Sequence, residues 1–174
     1  KTFLINTAPK KAEIRLDGKL PSADAYSVNM PGKPDFSYAL SADAVYTLKQ
    51  DYIAERLVKG LSASGDEESG EITETVYAET GRKIENVLRS EVEKSFTDKT
   101  GSFSDNRDFL DKMFSSERLS SLIQESVEGI ELKEFGVTRI VIPDINLYRA
   151  AVKIYEDIVS GKKQQLLESE MKSA

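Results

Sequence analysis

Apolar and polar positions alternate with a period of two in the first quarter of the chain and shift to a period near four from Lys49 onward. Phe3 to Asn6 and Ala12 to Leu16 read as short strands, the second closing at the turn dipeptide Asp17-Gly18. Pro21 to Pro34 holds three prolines and Gly32, which predicts loop and edge rather than central strand. Phe36 to Leu48 is a long strand with Phe36, Tyr38 and Leu40 on one face. Beyond it, Tyr52, Ile53, Arg56 and Leu57 line one side of a short helix that Gly60 is placed to end. Ser62 to Gly70 reads as a solvated loop. Ile72, Val76, Ile84, Leu88, Val92 and Phe96 then fall on multiples of four, with Val87 in the next row. They predict an amphipathic helix of about 25 residues that buries Ile84, Leu88 and Val92 and leaves Lys83 and Glu93 exposed.

The polar stretch Thr97 to Asn106 breaks that helix. Asp105 or Ser104 is positioned to cap a short helix carrying Phe109, Leu110 and Met113. Ser115 or Ser116 caps the next, whose stripe is Leu119, Leu122, Ile123, Val127 and Ile130. Gly136 stands where a left-handed cap residue is wanted, and Val137 to Ile142 forms a β-branched strand closed by Pro143. Asn146 caps a last helix with Leu147, Ala151, Ile154 and Ile158 as apolar positions. Strands, then helices, then a strand and a helix imply an α+β fold with a mixed or antiparallel sheet.

Composition removes whole classes of chemistry. The 174 residues contain no Cys, His or Trp. That excludes disulfides, thiol nucleophiles, His-based triads and the usual zinc and iron ligand sets. A net charge of −6 argues against nucleic acid, and the pairs Lys10-Lys11 and Lys162-Lys163 read as solvated surface. No apolar run is long enough to cross a bilayer. A chain opening Lys1-Thr2-Phe3 reads as a processed or trimmed product, so an anchor belongs outside these residues.

The remaining chemistry is carboxylate. Asp66-Glu67-Glu68 and Asp105, Asp108, Asp111 lack the alternate spacing of a calcium loop, and acids in a first helical turn are accounted for by the helix dipole. No nucleophile elbow, P-loop or dinucleotide glycine pattern occurs. No catalytic, cofactor-binding or metal residue is therefore expected. Tyr148 and Tyr155 share a face of the last helix, open either to a helix partner or to packing on their own domain.

The segment Leu119 to Ile145 (LSSLIQESVEGIELKEFGVTRIVIPDI) resembles the helix, glycine, strand and proline that close the stomatin/prohibitin/flotillin domain, also called the SPFH or band 7 domain. Gly136, Val137, Ile140, Ile142 and Pro143 carry the likeness. Tyr77 to Val92, with Leu88-Arg89, is similar to the family's long helix. Tyr38 to Leu57, with Asp51-Tyr52, is similar to its strand and following helix. Gly18-Lys19 and Pro31-Gly32 resemble dipeptides near its start, whereas Thr97 to Phe114 is longer than the family's link.

The resemblance implies a curved sheet packed with amphipathic helices, an SPFH-like globular domain over 1–145, and a C-terminal helix from 146 to 174 leading toward a coiled coil, in one structural domain. It also implies a non-catalytic membrane scaffold that homo-oligomerises and organises lipids or membrane proteins, a membrane protease among them. No cofactor or nucleic acid partner is expected, and the expected location is membrane-associated on the extracytoplasmic side. The alternative is an extracytoplasmic ligand- or protein-binding domain of a lipid-anchored or secreted protein.

Overall fold

The computed structural model describes residues 8–64, 69–98 and 100–174. In chain order the elements are β1 (Lys10–Lys19), α1 (Ala23–Ser27), β2 (Ser37–Leu48), α2 (Gln50–Ser64), α3 (Ser69–Asp98), a 3-10 turn (Thr100–Ser102), α4 (Asn106–Met113), α5 (Ser116–Ser126), β3 (Ile130–Val141) and α6 (Ile145–Ser173). The class is α+β. The sheet is antiparallel throughout, in the order β1-β2-β3. Strand β2 alternates strictly: Tyr38, Leu40, Ala42, Ala44 and Tyr46 are buried under helices, while Ser37, Ala39, Ser41, Asp43 and Val45 face the open side. Pairing of β1 with β2 is unbroken, whereas that of β2 with β3 shifts register at Ser41/Ala42 and at Val45/Tyr46.

Helix α3 organises the core. Its ladder of four-residue steps advances by ~40° at each step, because a helix turns through ~100° per residue. The apolar stripe therefore winds around the helix and meets different neighbours along its length. Ile72 lies against Gly60 of α2, where a Cβ on the glycine would stand 3.1 Å from the isoleucine. Ile84, Leu88 and Val92 are buried in the core. At the far end Phe96 packs edge-on against Phe109 and Tyr148, at 5.1 and 5.5 Å between ring centres. Lys83 and Glu93 flank the stripe and are half-buried rather than exposed. Lys83 sits over the Tyr52 ring, and Glu93 accepts from the Tyr38 hydroxyl at 3.5 Å.

Several boundaries differ from the sequence expectation, each for a local reason. β1 runs through Asp17-Gly18 to Lys19 because those residues pair with Ala39, Tyr38 and Ser37. The proline-rich stretch carries the one-turn helix α1. α2 continues past Gly60 to Ser64, the glycine serving close approach to Ile72 rather than termination. α5 ends at Ser126, so Ile130 begins β3 instead of closing the helical stripe. The left-handed glycine after α5 is Gly129, at φ +75°, and Gly136 lies inside the strand opposite Asp43. Asp144, not Asn146, caps α6 by accepting from the Leu147 amide at 2.8 Å. Asp105 and Ser115 cap α4 and α5. Phe3 to Asn6 and Asp66-Glu67-Glu68 lie outside the described residues.

Candidate functional site

The features able to act on a partner gather where α6 leaves the body of the domain. Asn106 fixes the turn ahead of it: its side chain donates to the Pro143 carbonyl at 3.1 Å and accepts from the Ile145 amide at 2.8 Å. The first turns of α6 then bury Ile145, Tyr148 and Ala151. Tyr148 is the hub, its ring edge-on to Tyr26, Phe36 and Phe96 at 5.8, 5.3 and 5.5 Å. Its hydroxyl donates to the Pro21 carbonyl. Burial pushes its pKa up to about 12. Tyr155, one heptad on, packs on Tyr26 at 5.2 Å, so both tyrosines serve their own domain. Leu147 and Ile154, expected to be apolar contacts, are instead at the exposed edge.

Beside this hub lies an open cleft of about 670 Å³ between α1, the end of α3 and α6. Tyr26, Phe96, Tyr148 and Val152 form an apolar floor, and Arg149, Lys153, Glu156 and Asp157 contribute charge of both signs. Past the cleft α6 runs on with no packed neighbour among the described residues, and every residue from Val159 to Ala174 is exposed. Val159, Leu166, Leu167 and Met171 hold apolar side chains in water there, Met171 at 79% exposure.

The carboxylates are accounted for locally. Asp105 is a cap, Asp108 pairs with Lys112 at 2.8 Å, and Asp111 lies 4.0 Å from Arg107. Among the described residues no cluster of three or more metal-ligating side chains occurs. No helix of the described residues is long and apolar enough to cross a membrane.

The structure also brings together two marks that stand apart in the chain, Gly18 and Arg89. Arg89 donates to the Asp17 carbonyl at 2.9 Å and to the Tyr38 hydroxyl at 3.2 Å. A Cβ on Gly18 would stand 3.1 Å from that hydroxyl. Burial raises the Tyr38 pKa, and the Arg89 charge opposes the shift. This cluster ties α3 to the sheet and offers no open coordination. The cleft has no local signature in the sequence because its walls come from three distant segments; the aromatic residues Tyr26, Phe96 and Tyr148 are its only trace. No family model, curated protein or solved structure matches this chain.

Proposed function

We propose that this chain is the globular module of a non-catalytic, membrane-associated scaffold of SPFH type, working through self-association. The observation that carries the proposal is α6. It is 29 residues long, docks by its first turns, and then projects roughly 22 Å with apolar side chains exposed. A helix alone in water at that length is marginal, so its solvent-exposed Val159, Leu166 and Met171 favour a helical partner. The absence of Cys and His from the sequence supports a non-catalytic role. The anchor is assigned to a segment beyond these residues, the domain to the extracytoplasmic side, and a membrane protease or other membrane protein to the organised partners. Light scattering of the natural protein in detergent or nanodiscs tests this: large homo-oligomers are expected, and a strict monomer would contradict it.

A second reading is an extracytoplasmic ligand-binding domain, and the cleft beside Tyr148 favours it. Its volume is within the range of small-molecule sites, about 300–1,000 Å³. A strict monomer in nanodiscs, together with loss of a co-purified ligand from a Val152→Arg variant, would put this reading first.

A further inference from the structure

We propose that β1 is a homodimer edge, joining the three-stranded sheets of two copies of this chain into one continuous antiparallel sheet centred on Ile14. β1 pairs only with β2 among the described residues, so none of them covers the outer edge of its ten residues. Its register with β2 is unbroken, whereas pairing on the β3 side is interrupted by bulges, which twist an edge away from further pairing.

Charged residues on an edge strand ordinarily discourage pairing. Here their order does the reverse for a second copy. Lys11, Glu13, Arg15 and Asp17 share the open face of the sheet and alternate in sign. In an antiparallel pair centred on Ile14, Lys11 stands opposite Asp17, and Glu13 stands opposite Arg15. The two-fold axis repeats both contacts, so no like charges stand directly opposite each other on that face. On the covered face the same register sets Ile14 against its own copy and Ala12 against Leu16. The pairs these charges make within the chain are loose. Lys11 to Asp43 and Arg15 to Glu13 are both 3.8 Å apart and well exposed, so they compete weakly. Arg89 donates to the Asp17 carbonyl near the end of the strand and leaves the central residues clear.

A single added strand pair buries less than a standard interface, under about 1,200 Å², so the dimer is weak and salt-sensitive. This contact is independent of any membrane role, and charge-reversal variants of the soluble chain separate it from association along α6. Sedimentation equilibrium of the 174-residue chain up to millimolar concentration should show a reversible dimer. Glu13→Arg sets arginine against arginine twice and should weaken the dimer by about tenfold or more. The double variant Glu13→Arg/Arg15→Glu restores opposite signs in the Ile14-centred register and should recover the dimer. A register centred on Leu16 would instead place the carboxylate introduced by Arg15→Glu against Asp17 and lose it. A chain monomeric at millimolar concentration, a dimer indifferent to Glu13→Arg, or a double variant that fails to recover would each overturn the proposal.

Discussion

The hydroxyl of Tyr148 donates to the carbonyl of Pro21 at 3.2 Å, tying the root of α6 to the loop after β1 across 127 positions of chain. Tyr148→Phe keeps the ring contacts and removes only this bond, which should cost about 0.5–1.5 kcal/mol. The same residue makes stability depend on alkaline pH. Its pKa is raised to about 12 by burial, so the folded state favours the neutral phenol. That contribution is complete below the ordinary value near 10 and is lost as pH climbs from there toward 12. Burial raises Tyr38 and Tyr46 in the same direction, so the phenylalanine variant should flatten the alkaline loss without abolishing it. Urea denaturation of both proteins across that window checks the point.

Leu88 and Leu166 share a residue type and differ in setting. Leu88 is 1% exposed beneath the sheet, and Leu166 is 65% exposed on the free part of α6. Leu88→Ala should cost about 2–5 kcal/mol, while Leu166→Ala should leave the unfolding of the dilute chain within about 0.5 kcal/mol of wild type. Chemical denaturation compares them directly.

Gly129 and Gly136 separate a backbone requirement from a sequence signal. A Cβ at Gly129 would meet the Tyr52 ring at 2.3 Å, and the residue sits at φ +75°. Gly136 has nothing within 4 Å of where its Cβ would be. Gly129→Ala should therefore cost at least about 1–3 kcal/mol, and Gly136→Ala much less. Thermal unfolding of the two variants reads the difference.

Arg118 and Glu91 join α5 to α3 through a hydrogen-bonded ion pair of 2.5 Å, with the Glu91 side chain 13% exposed. Arg118 also donates to the Met113 carbonyl at 2.7 Å. Glu91→Ala leaves a half-buried guanidinium unmatched and should destabilise by up to about 3–5 kcal/mol. The double variant Glu91→Leu/Arg118→Met should recover most of that loss in the same denaturation assay.

Elements with an unbroken period were legible in the sequence. The alternation of β2 and the four-residue ladder of α3 each impose one geometry, and the structure has both. Short-range punctuation was less reliable. Asp17-Gly18, Gly60 and Gly136 all look like breaks, yet strand pairing or helix packing carries the chain through each of them. On α6 the expected position Ala151 is buried, but Leu147 and Ile154 are exposed, because the aromatic pocket of Tyr26, Phe36 and Phe96 selects Tyr148 despite its lower apolarity. That pocket is assembled from segments far apart in the chain, and no local pattern announces it. The edge complementarity of β1 was present in its residues all along, but it acquires meaning only once β1 is known to be an edge.

The central claim is self-association along α6 at a membrane, and the absence of cysteine from these 174 residues makes it directly measurable. Single cysteines at Leu166 and at Gln164 lie on nearly opposite sides of that exposed helix. In native membranes under mild oxidation, Leu166→Cys should form a disulfide-linked dimer efficiently and Gln164→Cys should not. Absence of the Leu166 cross-link, or equal cross-linking at both positions, would contradict the account.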